Sequence, residues 1–195
     1  MPADLTDTIE LPGSQHWPES LREQLAGTLT PAGVLIPVLD SPADGLSVLL
    51  TQRSAELKHH AGQISFPGGR MEPEDRDIVF TALRETSEEV GIASEHVSVV
   101  GYLPPMPTIS GYAVTPIVGM VAAAAVLEVD RSEVEFAFEV PLSFLLEPHN
   151  RRMVQRDLHG RSIAMVEFHY EQHRIWGATA MMLIEFIKII KNNKL

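Results

Sequence analysis

The chain has no cysteine among its 195 residues, and this absence excludes several kinds of chemistry. Disulfide bonds, thiolate metal sites and a cysteine nucleophile all require a residue that is missing here. A chain without disulfides fits a reducing compartment. We therefore predict a cytoplasmic protein.

Positive charge is also scarce. The sequence has 15 Lys and Arg residues against 26 Asp and Glu residues, which gives a formal net charge of −11. Phosphate contacts need basic surface, so this balance argues against a nucleic-acid partner or an anionic membrane. An anionic substrate would have to meet a local cluster of Arg and Lys or a metal ion.

Neither a targeting segment nor a membrane span is evident. The first residues, "MPADLTDTIELPGS", are acidic and lack the basic start and apolar run of a secretory signal. The most apolar tract, "IWGATAMMLIEFIKII", is only about 16 residues long and contains Glu185 and Lys188. We expect no membrane partner.

The length and the 45% hydrophobic content predict one domain with an ordinary core. We assign residues 1–30 to an irregular lead with a short helix around "PESLREQLAG", and residues 31–195 to that domain. The lead and the apolar C-terminal helix could each support a homodimer.

Strands and helices alternate irregularly along the chain. The predicted strands are "AGVLIPVL", "LSVLLTQR", "HVSVVGYL", "YAVTPIVGMVAAA", "EFAFEV" and "SIAMVEFHY". A helix is predicted from its N-cap Asp77 to Val90, with Gly91 ending it. "PLSFLL" predicts a short helix, and "GATAMMLIEFIKIIKNN" a C-terminal one with Met181 and Met182 on its buried face. This mixture predicts an α/β or α+β sandwich with a mixed sheet.

The stretch "RETSEEVGI" places Glu85, Glu88 and Glu89 on neighbouring turns of the Asp77–Val90 helix. Like charges at this spacing cost roughly 0.2–0.5 kcal/mol per pair. At 100° per residue the glutamates form an arc beside a packing stripe. The stripe consists of Val79, Ala82, Leu83, Thr86 and Val90.

Such an acidic arc has two interpretations. It is either a solvated helix face or a divalent-cation site whose hard oxygen ligands suit Mg²⁺ or Mn²⁺. The spacing alone does not separate them. Gly68 and Gly69 stand upstream, where backbone without a side chain can approach a ligand closely. Arg84 lies beside the arc, where it could hold Glu88 one turn ahead.

Taken together, "GGRMEPEDRDIVFTALRETSEEVGI" resembles the signature of the Nudix hydrolases. The matching residues are Gly69, Arg84, Glu85, Glu88, Glu89, Gly91 and Ile92. Asp75 replaces the usual Glu, with one extra residue before Arg84, and Thr86 stands at a usually apolar position.

The preceding "LLTQRSAELKHHAGQISFPGG" resembles the pre-box motif of the coenzyme A pyrophosphatase branch, as do Asp75 and the lengthened loop. "PTISGYAVTPIVG", "FEVPLSFLL" and "RIWGATA" extend this likeness from about Ala32 to about Ile190. Lys58 stands where that branch would have Arg, which keeps the charge but loses the bidentate guanidinium fork.

The resemblance implies a Nudix-type α/β/α sandwich with a mixed β-sheet and the box glutamates on a loop–helix–loop. It also implies metal-dependent hydrolysis of the diphosphate of coenzyme A or its derivatives, with Mg²⁺ or Mn²⁺ as cofactor. The products would be 4′-phosphopantetheine, or its acyl form, and adenosine 3′,5′-bisphosphate.

By the same resemblance, Glu85 and Glu89 would be the primary metal ligands. Glu88 would be a third ligand or would orient the attacking water, and the Gly69 carbonyl would be an additional ligand. Glu85, Glu88 and Arg84 are the predicted catalytic residues. A downstream acid could also serve as the general base.

Five basic residues lie before or at the start of the stretch that resembles the Nudix signature: Arg53, Lys58, His59, His60 and Arg70. They could be scattered surface cations. As a group, and with Gly68 and Gly69, they could bind the diphosphate and the 3′-phosphate of coenzyme A. His59 and His60 are adjacent and would point apart on an extended chain, which argues against a metal pair.

Two other functions stay open. The substrate could be another nucleoside diphosphate derivative, such as an ADP-sugar, a dinucleotide or an oxidised dNTP. The chain could also be a non-catalytic nucleotide sensor, although the presence of Arg84 and all three glutamates argues against this.

Several remaining residues favour structural roles. His169 and His173 have helical metal spacing but lie in a strand-like stretch, so we expect surface or sheet histidines. Ser110 lacks the strand–Ser–helix elbow of a nucleophile. Tyr112 could stack on an adenine or belong to the core.

Overall fold

The computed structural model of the protein describes residues 29–41, 45–57, 60–158 and 161–192. The short helix predicted around "PESLREQLAG" lies outside these residues, as do Lys58 and His59.

The described strands are β1 (Thr30–Ser41), β2 (Gly45–Arg53), β3 (Ile64–Ser65), β4 (Gly68–Arg70), β5 (Val97–Tyr102), β6 (Met106–Pro107), β7 (Tyr112–Val121), β8 (Val134–Pro141), β9 (Arg151–Leu158), β10 (Arg161–Tyr170) and β11 (His173–Ile175). The described α-helices are α1 (Ile78–Val90), α2 (Leu142–Leu146) and α3 (Gly177–Asn192).

The main sheet is mixed, as predicted. Its strands follow the order β3-β2-β1-β7-β5, while β4 pairs with β1, β6 with β7 and β8 with β2. β1 runs parallel to β7, and its pairings with β2 and β4 are antiparallel. A second, antiparallel sheet has the order β11-β10-β9.

Alternate residues of β1 face opposite sides of the main sheet. Leu35 packs with Ala82 of α1 and Ile117, whereas Ile36 belongs to the larger cluster on the other side. That larger cluster includes residues of the second sheet and α3, such as Phe168 and Leu183. The sheet is therefore covered on both faces, and the predicted α/β sandwich is confirmed.

Helix α1 begins and ends where its sequence predicts. The Asp77 side chain caps the N-terminus by accepting a hydrogen bond from the Phe80 N–H at 2.7 Å. Gly91 ends the helix with a left-handed φ of 74°, and its N–H donates to the Ser87 carbonyl. Both caps satisfy backbone groups that the helix leaves unpaired.

The buried face of α1 is turned further towards the glutamates than the predicted stripe. Ala82, Thr86 and Val90 are buried as expected, but Thr81 and Glu89 are buried too. Val79 and Leu83, which were assigned to the stripe, are only partly buried. The prediction that Glu89 lies in an arc outside the packed face was therefore wrong.

The other predicted strands, the short helix at "PLSFLL" and the C-terminal helix are confirmed. Met182 is buried in the core, while Met181 is only partly buried. Strand β9 was not predicted, because "RRMVQRDL" carries four charged residues and pairs along one edge only. Among the described residues, no helix is long and apolar enough to cross a membrane.

Candidate active site

A strand–loop–helix unit brings two consecutive glycines against the acidic helix. β4 pairs with β1, which sets Gly69 opposite Gly33. A Cβ atom built on Gly69 would lie 2.5 Å from the Glu85 carboxyl carbon. A side chain at position 69 would therefore displace the Glu85 carboxylate from its present place.

Glu89 is the most buried acid of the helix, with 2% of its surface exposed. Its Oε1 accepts a hydrogen bond from Arg53 Nη1 at 3.1 Å, and its Oε2 accepts one from the Gly68 N–H at 3.1 Å. Loss of water around the carboxylate nevertheless raises the pKa of Glu89 to about 7, and the neighbouring charges of Glu85 and Glu133 act in the same direction. Its two partners do not fully compensate its negative charge.

Glu85 is in a similar state. Burial raises the pKa of Glu85, against the opposing effect of Arg84, whose Nη1 lies 3.0 Å from Glu85 Oε1. Both carboxylates border the Gly68–Gly69 backbone. Two adjacent acids with raised pKa values form a place where an added positive charge would be stabilised.

Arg84 is fixed by a buried acid outside the helix. Its Nε and Nη2 each donate to one oxygen of Asp75 at 2.9 Å. Asp75 also accepts hydrogen bonds from Thr81 Oγ1 at 2.9 Å and from the Glu72 N–H at 3.0 Å. The Arg84 guanidinium holds the pKa of Asp75 far below its usual range, and Asp75 in turn raises the pKa of Arg84.

The expected ion pair between Arg84 and Glu88 is present, with Nη1 3.0 Å from Glu88 Oε2. Glu88 is 59% exposed and pairs with Arg84, whereas Glu85 is partly buried and Glu89 is buried. Among the described residues, no three His, Asp or Glu side chains form a group that could hold a metal ion. Glu85 and Glu89 therefore lie together at the Gly68–Gly69 backbone, and Glu88 does not join them.

A pair of carboxylates still fits a divalent cation. Mg²⁺ is usually held by one or two carboxylates and completes its shell with water and substrate phosphates. The under-compensated oxygens of the partly buried Glu85 and the buried Glu89 are hard donors of this kind.

The three described members of the predicted basic group, Arg53, His60 and Arg70, make separate contacts. Arg53 reaches the site and binds Glu89. The Arg70 side chain is 65% exposed and pairs with Glu72 at 3.0 Å, although the Arg70 carbonyl accepts a hydrogen bond from Arg84. His60 Nδ1 contacts Gln63 Oε1 at 2.9 Å.

Sequence reasoning missed Glu133, which directly precedes β8. Its carbonyl accepts the Ser54 N–H at 2.8 Å, and its neighbour Val134 pairs with Arg53. The Glu133 carboxylate is close enough to raise the pKa of both Glu85 and Glu89. The motif contained no signal for it, because the contact depends on pairing between β2 and β8.

The histidine interpretation is confirmed, since His169 lies on β10 and His173 on β11. His169 Nε2 bonds Glu167 at 2.7 Å, and the His173 ring stacks on Phe138. Tyr112 packs partly against the core, and Ser110 lies in an exposed turn.

Sequence and structure comparison relates this chain to known proteins. Residues 29–157 match the NUDIX domain model. The chain is 43% identical over 152 residues to a protein of Photorhabdus laumondii named uncharacterized Nudix hydrolase NudL, covering 78% of this chain and 80% of that one. It is 42% identical over 154 residues to a protein of the same name from Pectobacterium atrosepticum, covering 78% of each chain.

The fold also resembles the crystal structure of a MutT/nudix family protein from Enterococcus faecalis. The TM-score is 0.53 with 15% identity, over 85% of this chain and 63% of that one. At this identity the likeness concerns the fold alone. The domain match and the two sequence relatives show that the chain belongs to the Nudix family of hydrolases, which act on phosphoric anhydrides of nucleoside diphosphate derivatives.

Proposed function

We propose that this Nudix protein hydrolyses the diphosphate of coenzyme A or its derivatives. Water would add to one phosphorus and the bridging oxygen would leave with the other. The products are 4′-phosphopantetheine, or its acyl form, and adenosine 3′,5′-bisphosphate.

The course of the pre-box segment "LLTQRSAELKHHAGQISFPGG" carries this proposal. It starts on β2, where Arg53 binds Glu89, and ends on β4, where the Gly68 N–H binds the same carboxylate. Both ends of the segment that resembles the coenzyme A branch therefore contact Glu89, the most buried of the three glutamates.

Glu85 and Glu89 would hold a divalent cation, Mg²⁺ or Mn²⁺. When bound, such an ion would neutralise the charge of the diphosphate and make its phosphorus easier to attack. The protein's net charge of −11 makes this neutralisation necessary, since the overall field repels the substrate.

The remaining residues would position these groups. Arg84, locked onto Asp75, fixes the orientation of Glu85 and Glu88. Glu88 is exposed and reaches the rim of the site, so it would orient the attacking water or accept its proton. Glu133, whose charge raises the pKa of both Glu85 and Glu89, is a second acid that could take this role.

A substrate panel tests the proposal. Coenzyme A, acetyl-coenzyme A, ADP-ribose, a diadenosine polyphosphate and an oxidised dNTP would be offered with Mg²⁺ or Mn²⁺ in water enriched with heavy oxygen. We expect coenzyme A or its acyl form to give the highest kcat/KM, with adenosine 3′,5′-bisphosphate released and heavy oxygen in one product by mass spectrometry.

Two results would contradict the proposal. Preferential cleavage of another member of the panel would make the protein a Nudix hydrolase of a different nucleotide. Tight binding without turnover under both metals would make it a nucleotide sensor.

A further inference from the structure

Three aromatic rings meet on the face of the main sheet opposite α1. Phe136 and Phe138 come from β8, and His173 comes from β11. The Phe138 and His173 rings are stacked, with centroids 4.0 Å apart and an interplanar angle of 23°. Phe136 lies 5.2 Å from His173 and 6.0 Å from Phe138.

These rings differ in their surroundings. His173 is buried, and Phe138 packs against the main core. Phe136 is only partly buried and belongs to none of the hydrophobic clusters formed by the described residues. One part of its ring is thus supported by two aromatic neighbours, and another part stays open to solvent.

Strand pairing places Phe136 beside the residue that precedes Arg53 in β2. Its cross-strand partner is Gln52, and the register then shifts so that Arg53 pairs with Val134. Because cross-strand partners share a face, Gln52 lies on the same side as Phe136. Arg53, the next residue, points to the other side and binds Glu89.

Gln52 adds a polar group beside the ring. Its side chain is partly buried, and within the described residues its amide has no hydrogen-bond partner. An amide carries both a donor and an acceptor in one plane and can pair with N6 and N7 of an adenine. A planar ring with such an amide beside it suits a flat, uncharged heterocycle better than a phosphate.

We propose that Phe136, supported by His173 and Phe138, is the surface on which the nucleobase of the substrate stacks, with Gln52 bonding the edge of the base. The inference rests on the proposed function, since it needs a nucleotide whose diphosphate lies at Gly68–Gly69. Binding of the base by Phe136 and Gln52 would let the enzyme distinguish a nucleotide from a diphosphate that carries no base.

The test separates stacking from packing. Phe136→Leu keeps an apolar side chain but removes the ring, and Phe136→Trp keeps an aromatic face. Phe80→Leu is the matched control, because Phe80 is an exposed ring at the far end of α1 under Arg76. Kinetics with coenzyme A would be combined with calorimetric binding of adenosine 3′,5′-bisphosphate and inhibition by inorganic pyrophosphate, which has no base.

We expect Phe136→Leu to raise KM and the Kd of adenosine 3′,5′-bisphosphate by roughly five- to a hundredfold, the usual effect of losing one stacked base. The kcat and the inhibition by pyrophosphate should change less than about twofold, since the base takes no part in the chemistry. Phe136→Trp should retain binding, and its fluorescence should be quenched by adenosine 3′,5′-bisphosphate. Phe80→Leu should behave like the wild type.

An unchanged KM and Kd in Phe136→Leu would overturn the inference. So would an equal loss of nucleotide and pyrophosphate binding, which would indicate a packing role. If the wild type cleaves a different nucleotide from the panel, the proposed function fails, and the same three variants are then measured on that nucleotide.

Discussion

Two buried glutamates in this molecule have opposite electrostatic surroundings. Glu89 of α1 and Glu167 of β10 are 2% and 5% exposed. Among the described residues Glu89 has a single cationic partner, Arg53, and burial raises its pKa to about 7. Glu167 contacts three cationic or protonatable side chains, and these contacts lower its pKa to about 2 despite burial. They are His169 at 2.7 Å, Arg174 at 2.8 Å and Arg156 at 3.4 Å.

Burial alone therefore does not reveal what a charged residue does. The negative charge of Glu167 is compensated by side chains of its own sheet, as expected for a structural ion pair. Glu89 is kept desolvated with too little positive charge, and two further acids stand nearby. Such a deficit makes sense where a cation binds, because the ion would supply the missing charge.

The largest difference between the two residues should be seen in turnover. We expect Glu89→Gln to lower kcat by roughly a thousandfold at saturating Mg²⁺, since a metal contributes several kcal/mol to such reactions. The fold should be retained, because the amide removes a desolvated charge. Binding of Mn²⁺ measured by electron paramagnetic resonance should weaken in parallel, which gives a readout independent of activity.

Glu167→Gln serves as the control in this experiment, and it should keep the kcat of the wild type. If Glu89→Gln turns over at a near-normal rate with saturating Mg²⁺, Glu89 is not a metal ligand and does not differ from Glu167 in function.

Stability should show the reverse pattern. Glu167→Gln leaves its cationic neighbours facing one another without a carboxylate. The lowering of its pKa from 4.5 to about 2 corresponds to about 3 kcal/mol. We expect a loss of about 2–3 kcal/mol in the free energy of unfolding in urea, because the arginines are partly hydrated.

Glu185→Gln is the matched control for stability. It removes an exposed ion pair with Lys188 and should cost less than about 0.5 kcal/mol. Equal losses in the two variants would mean that the Glu167 contacts contribute no more than a surface pair.

The free energy of unfolding should also depend on pH in a way that reports the protonation of Glu167. A carboxylate with a lowered pKa stabilises the folded state fully above its unfolded value of 4.5 and loses this effect as the pH falls through about 2. The stability difference between the wild type and Glu167→Gln should therefore be constant above about pH 5.5 and roughly halved at pH 3. A difference that stays constant down to pH 2 would contradict the assignment.

The local parts of this molecule could be predicted from sequence, and the long-range parts could not. The limits of α1 depend on Asp77 and Gly91, whose caps are formed within a few residues. The bidentate bond from Arg84 to Asp75 was missed in favour of Glu88, because periodicity compares only positions within the helix. Asp75 was noticed only through the resemblance, as a departure from the general signature and as a match to the coenzyme A branch.

Glu133 and Phe136 show the same limit over a longer range. Both come near the candidate site through the pairing of β8 with β2. That pairing joins residues 81 to 94 positions apart in the chain, from Arg53–Val134 to Ser47–Pro141. The register shift beside Arg53 decides which β8 side chains face the site. Burial of Glu89 was also missed, since it follows from how α1 is rotated against the sheet.

The smallest expected effect on stability concerns Glu88, which is neither buried like Glu89 nor surrounded by several cationic side chains like Glu167. It is 59% exposed and makes one ion pair with Arg84, whose position Asp75 already fixes. Glu88→Gln should therefore change the free energy of unfolding by less than about 0.5 kcal/mol. Any loss of turnover in this variant would then report on the orientation of water or metal rather than on folding. A loss of several kcal/mol would show instead that Glu88, like Glu167, is a structural residue.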